Sequence, residues 1–498
     1  MTTRHPILTF LVWQVLGLTL LLVYVGLIFL TGAVMVPLMI VASLVALLFI
    51  ADRVAGFAVY LQFLLYQNVS VSLVSGSLSA DLFRTAQGTS FALTVTLAAV
   101  AFCRLWAAGR NRQTLSYLAA AGVVILAYTA LGAAYSSLGS AAVYFRSTSI
   151  LLMGLLIGWD LGHGNSYRTV GTCFLVSLAL GLMLTLAEVT FPMQYYEAID
   201  APRYYFLTQS NATAAMAPAL VTGRDVVIFQ TTAFFNLPEM AYRTIRFGGP
   251  NMHSVSYSYV MSVGAIVAFS LGKPWFALLV LPLMILIGVK GGLILFVGAA
   301  VLCLIGRIFG TRLLAISGLL FGVAYAGSAI VFGLSVGDYH VLGLIAGVNG
   351  FLQNPLGHGI GVGGNMSSDV TATDLTAQWA LSQKYGADIP SESAIGVLLY
   401  QMGIGSVAVA YLIWTAFKAG FGHFTSSLGI VPLALAVLTV NALLQEEAFS
   451  PYSMGLLAIF AGVLSYEIPK ETIGETGENI HSADSYNSDP KSIVYQRS

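Results

Sequence analysis

Apolar runs of about 15 to 25 residues, parted by short polar breaks, repeat along this chain almost from end to end. A helix needs roughly 20 apolar residues to cross a bilayer. Inside lipid the backbone must satisfy its own hydrogen bonds, which leaves helices as the plausible form for such runs. The pattern predicts an all-α, polytopic membrane helix bundle of fourteen spans, over residues 8–30, 33–51, 54–76, 88–107, 115–137, 146–160, 169–191, 251–271, 275–289, 291–306, 312–333, 392–416, 427–446 and 451–467. Two long polar connections interrupt them, at about 192–250 and 334–391. Residues 1–467 read as one integral membrane domain, and residues 468–498 as a polar, aromatic-poor, disordered cytoplasmic tail.

Composition sharpens this picture. Of 498 residues, 57% are hydrophobic and only 8% are charged, against about 25% charged in a soluble domain. The formal net charge is zero, which weighs against a nucleic-acid partner. Cys103, Cys173 and Cys303 all fall in apolar runs, so neither a disulfide framework nor a metal site is expected from them. The first apolar run is too long for a signal-peptide core and has no small-residue cleavage site after it, so it reads as an uncleaved anchor.

Lys and Arg accumulate in cytoplasmic loops. With the N-terminus inside, thirteen of the 21 basic residues fall on the cytoplasmic side, Arg104, Arg110 and Arg112 among them in one short loop. An even number of spans keeps the C-terminus inside as well. Both long connections then face outward, in the periplasm of a Gram-negative cell. Asp52 and Asp160, at inner span ends, are expected to be solvated. Glu188, at an outer span end, is expected to face the bundle interior or a cavity, where it could pair structurally with Arg146 or Lys290.

Candidate chemistry gathers on the outer side. Arg243 and Arg246 precede the turn Gly248-Gly249-Pro250, and Lys290 sits in a tight turn between two short apolar runs. Arg146 opens a span. Such cations can snorkel to lipid headgroups, or bind an anionic ligand through charge-assisted hydrogen bonds. The second connection carries His340, the segment Asn354-Pro355-Leu356-Gly357-His358, and a helix start at Ser391-Glu392-Ser393. Ser391 or Glu392 would serve as a helix cap. His358 or Glu392 would serve equally as a general base, since imidazole titrates near neutrality and burial can raise a carboxyl toward it.

Four of these segments together resemble the O-antigen ligase/polymerase family. They are Asn354-Pro-Leu-Gly-His-Gly-Ile-Gly361, the helix Ser393-Ala-Ile-Gly-Val-Leu-Leu-Tyr-Gln-Met-Gly403, the turn Arg246-Phe-Gly-Gly-Pro-Asn251, and Phe145-Arg146. The likeness covers residues 140–465. Two positions depart from the family pattern: Val289-Lys290 stands where a Ser-Arg pair is common, and Ser391-Glu-Ser393 where His-Asn or Asp-Ser is common.

The resemblance implies glycosyl transfer at the periplasmic face from an undecaprenyl-diphosphate-linked glycan, inverting, with no cofactor, nucleotide sugar or metal. Arg246, Lys290, Arg146 and Arg243 would hold the diphosphate. Asn354, Pro355, Gly357 and His340 would shape the substrate loop. The partners implied are that lipid-linked glycan, the bilayer, and a chain-length regulator and flippase of the same pathway. Polymerisation of repeat units, ligation of a finished glycan to an acceptor, and a flippase or transporter all stay open. A transporter would place its polar residues at mid-membrane, whereas here they concentrate in two outer connections.

Overall fold

The computed structural model describes residues 6–109, 112–208, 229–233, 241–245, 247–365 and 392–467. Arg246, Ser391, the tail from residue 468, and much of both long connections lie outside the described residues. Helices α1 (Pro6–Thr31), α2 (Met35–Ala51), α3 (Arg53–Ser72), α4 (Ala80–Gln87), α5 (Thr89–Ala107), α6 (Arg112–Tyr135), α7 (Leu138–Gly162) and α8 (Tyr167–Thr190) come first. The first long connection holds two short helices, α9 (Pro192–Ala198) and α10 (Ala201–Thr208). It also holds an antiparallel hairpin of β1 (Phe229–Ala233) with β2 (Ala241–Ile245), in which Arg243 pairs with Thr231. Then follow α11 (Ser254–Ser270), α12 (Pro274–Leu286), α13 (Lys290–Val336), α14 (Tyr339–Gln353), α15 (Ala394–Met402), α16 (Ser406–Lys418), α17 (Ile430–Asn441) and α18 (Leu456–Leu464).

Among the described residues, eight helical segments are long and apolar enough to cross a membrane, Arg53–Ser72, Leu138–Gly162 and Lys290–Val336 among them, and five shorter apolar helices accompany them. Helix α13, with 47 residues, would run about 70 Å if straight, at 1.5 Å per residue. It does not: Gly310 is non-helical (φ 81°, ψ 177°), and the halves fold back on one another. A Cβ on Gly306 would stand 3.0 Å from Leu314, and one on Gly298 would stand 3.2 Å from Phe321. The two apolar runs expected at 291–306 and 312–333 are this hairpin. The second long connection differs from its sequence reading, because α14 occupies its first half. Val341, Gly343, Ala346, Gly347 and Gly350 are the buried face of α14, at the spacing of a helix packed on a neighbour, and that neighbour is α15.

Two features fix the bundle. Gly154, Gly158 and Gly162 line one face of α7, opposite Gly455, Ile459 and Gly462. A Cβ on Gly158 would fall 2.1 Å from the Ile459 carbonyl oxygen, so small residues here let two backbones touch, as in close-packed membrane helices. At the same end of the bundle Asp160 is buried, not solvated. Arg53 Nε lies 3.1 Å and Arg104 Nε 3.6 Å from its Oδ1. A carboxylate this deep needs such partners, and the three residues tie α3, α5 and α7 together. Asp52 caps α3 by accepting from the Val54 and Ala55 amides. Glu188, Lys290, His340 and Glu392 gather at the opposite end.

Candidate functional site

The glycine-punctuated segment after α14 is a buried strap. Asn354 closes α14: its side-chain amide donates to the Gly357 carbonyl at 2.9 Å, and its own carbonyl accepts from the Gly357 amide at 2.9 Å. The Pro355 carbonyl accepts from the Ile404 amide. The chain then threads between α6, α7 and α15, where the Gly359 amide donates to the Gln401 carbonyl and the Ile360 amide to the Tyr128 carbonyl, each at 2.8 Å. Gly359 has φ +96° and Gly361 φ +103°, a region closed to residues with a Cβ. His358 stacks on Tyr400, with ring centroids 4.1 Å apart, and its Nδ1 lies 3.0 Å from the Tyr400 carbonyl oxygen. A carbonyl can only accept, so Nδ1 carries the proton.

A chamber of about 590 Å³ opens on the same end of the bundle. Its polar wall is Lys290, Asp338, His340 and Gln445; its apolar body includes Ile285, Val289, Leu293 and Phe332. Lys290 is the first residue of α13, and the Asp338 carboxylate acts on its ammonium electrostatically. Asp338 also caps α14 by accepting from the His340 amide at 2.9 Å, which places His340 on the first turn. Behind His340 stands Glu392: Nδ1 to Oε2 is 3.4 Å, an ion-pair distance rather than a hydrogen bond. Asn365 donates to the other Glu392 oxygen at 3.2 Å. Burial pushes the Glu392 carboxyl above its ordinary range, opposed by His340 and a hydrogen bond from Tyr339. Ser393 caps α15, accepting from the Gly396 amide, where the sequence offered Ser391, outside the described residues, or Glu392, which is left for His340.

Lys290 and His340 thus share the chamber, while His358 does not line it. Arg146 lies on α7, and its field reaches the Tyr452 hydroxyl. The turn Gln445–Phe449 spans the distance between the two cations: Gln445 lines the chamber with Lys290, and Glu446 accepts from Tyr144 on the helix that carries Arg146. Arg243 is placed by its backbone alone, on β2, and Arg246 lies outside the described residues. Among the described residues Glu188 pairs with no cation; it accepts from the Gly248 and Gly249 amides at 2.9 and 2.7 Å and from the Tyr196 hydroxyl at 2.9 Å. That grip holds the turn next to Arg246. Among the described residues no group of three or more His, Cys, Asp or Glu side chains is arranged to hold a metal ion.

Glu446 carries a pH dependence. It lies in the turn between α17 and α18, outside their helical bounds. Burial, with Glu392 and Glu447 nearby, pushes its carboxyl up to about 8, against about 4.3 in an unfolded chain. The folded state therefore binds this proton more tightly than the unfolded state. Its stabilisation is complete below about pH 4, shrinks as pH rises, and is gone above about pH 8. The melting temperature of the purified protein should fall between about pH 4 and 8 and then level off, and Glu446→Gln should flatten that slope. An unchanged slope in the variant would assign the dependence elsewhere.

No protein-family model, curated protein or solved structure matches this chain. The fold itself defines a polytopic helical membrane protein.

Proposed function

We propose that the protein is a membrane glycosyltransferase that polymerises undecaprenyl-diphosphate-linked repeat units into exopolysaccharide or O-antigen. The reading places it in the bacterial inner membrane with fourteen spans, both termini cytoplasmic, and the chamber at the periplasmic face. The observation that carries it is the chamber, whose wall holds one ammonium and one carboxylate-backed histidine beside an apolar body.

The chemistry follows from that arrangement. Glu392 favours the proton on His340 Nδ1, which leaves Nε2 as the acceptor. Nε2 takes the proton of the acceptor hydroxyl as its oxygen attacks the anomeric carbon. The bond from that carbon to the diphosphate oxygen breaks on the opposite face, with inversion, and the electron pair leaves with the lipid diphosphate. Lys290, with Arg146 on α7, meets the charge as it develops, the role that the resemblance also gives Arg246 and Arg243. The base role, divided in the sequence between His358 and Glu392, passes to His340 with Glu392 as its positioning residue. His358 is held in the strap.

The test is a strain lacking its own copy. Lys290→Ala, inserted at the wild-type level, should lose polymer and accumulate single lipid-linked repeats. Unchanged polymer length and yield would end the proposed role of Lys290. Full-length polymer stranded on the carrier would identify a ligase, and lipid-linked repeats confined to the inner leaflet a flippase.

A further inference from the structure

Below the chamber lies a second cavity of about 470 Å³, between the two halves of α13. It is lined by Val297, Gly298, Val301, Leu302 and Ile305 from one half and by Ser317, Phe321 and Tyr325 from the other. Leu293, Ile294 and Tyr325 line both cavities, so the two are separated by side chains rather than by backbone. Tyr325 stands at their junction. Its ring lies parallel to Phe321, with centroids 5.9 Å apart, and its hydroxyl donates to Asn441 Oδ1 at 2.9 Å. Asn441 donates in turn to the Tyr259 hydroxyl, and Tyr259 to Gln445, each at 2.6 Å. A chain of hydrogen bonds therefore runs from the chamber wall to Tyr325. Val297 and Val301 are exposed, so the lower cavity opens sideways toward the surrounding hydrocarbon.

We propose that chamber and groove form one lane for an anionic lipid with a single long hydrocarbon chain, and that Tyr325 selects for the length of that chain. The head sits at Lys290, which rests on the diphosphate reading above; the tail passes Tyr325 and runs between the halves of α13. From Lys290 to Ile305 the helix covers about 22 Å at 1.5 Å per residue, so only a long chain reaches the groove floor. A short chain ends inside the chamber and does not pass Tyr325 into the groove. Asn441 fixes the ring in place, which makes the width of the passage a set property of the site and not a rotamer average.

The experiment titrates the full-length protein in detergent with two probes, undecaprenyl phosphate and citronellyl phosphate, and reads bound fractions by native mass spectrometry. Tyr325→Trp narrows the passage and should weaken undecaprenyl phosphate about tenfold while moving citronellyl phosphate less than about twofold. Val301→Trp fills the groove floor from an exposed position and should have the same selective effect, even if the first variant folds poorly. Variants that leave the ratio of the two affinities unchanged overturn the lane. Lys290→Ala should weaken both probes equally. If it weakens neither while the tryptophan variants stay selective, the lane stands and the head-group reading falls.

Discussion

His340→Ala, inserted at the wild-type level in a strain without its own copy, is expected to abolish polymer and to leave single lipid-linked repeats. A positioned base contributes about 10²- to 10⁴-fold to proton transfer, and the alanine leaves no other imidazole in the chamber wall among the described residues. Glu392→Gln should also lower activity strongly, by as much as about 10⁴-fold, the scale seen when a carboxylate that orients a catalytic imidazole becomes an amide. It can retain a hydrogen bond with Asn365 but loses the charge that fixes the His340 tautomer. Its rate should also lose part of the pH dependence seen in the wild type, a readout that a packing defect would not move. His358→Ala tests the strap separately. Loss of polymer with His358→Ala and full activity with His340→Ala, at equal protein levels, would return the base to the glycine segment.

The helices were legible because each apolar run is a local property of the chain. Even the Gly310 break in α13 coincides with the gap between two runs at 306 and 312. The site was legible only as a set of residue types. Lys290, His340 and Glu392 stand out in the sequence as polar residues in outer connections, but their partnership depends on Asp338 and Ser393 as caps, and either neighbour could have served. The buried acids were misjudged for a related reason. Asp160 looks like a solvated span end until Arg53, 107 positions earlier in the chain, folds against it. Glu188 looks like the partner of a cation until two backbone amides of the Gly248–Gly249 turn reach it first. The polar residues Tyr325, Asn441 and Gln445 lie in or beside apolar runs, a signal that marks interior sites, yet their spacing does not reveal that they meet.

Gly359→Ala is expected to be a severely damaging single-methyl change, although Gly359 touches neither chamber nor cation. Its φ of +96° is unfavourable for alanine, and the added Cβ would lie 2.4 Å from the Gly132 nitrogen on α6. Strain of this kind costs about 1–3 kcal/mol, and forcing an atom into packed backbone costs about 1–3 kcal/mol more. Relief requires the strap to leave its seat, which breaks the Ile360–Tyr128 and Gly359–Gln401 backbone bonds and releases Asn365, the residue that holds Glu392. A fall in unfolding free energy of about 2–6 kcal/mol should follow, read as a lower melting temperature in detergent together with loss of polymer in cells. Gly318→Ala is the control: it lies within a helix with nothing inside 4 Å of its added methyl, and it should leave polymer unchanged and the melting temperature at or slightly above the wild-type value. Equal melting temperatures for the two variants would mean that the strap does not anchor the site, and Glu392 would then owe its position to α15 alone.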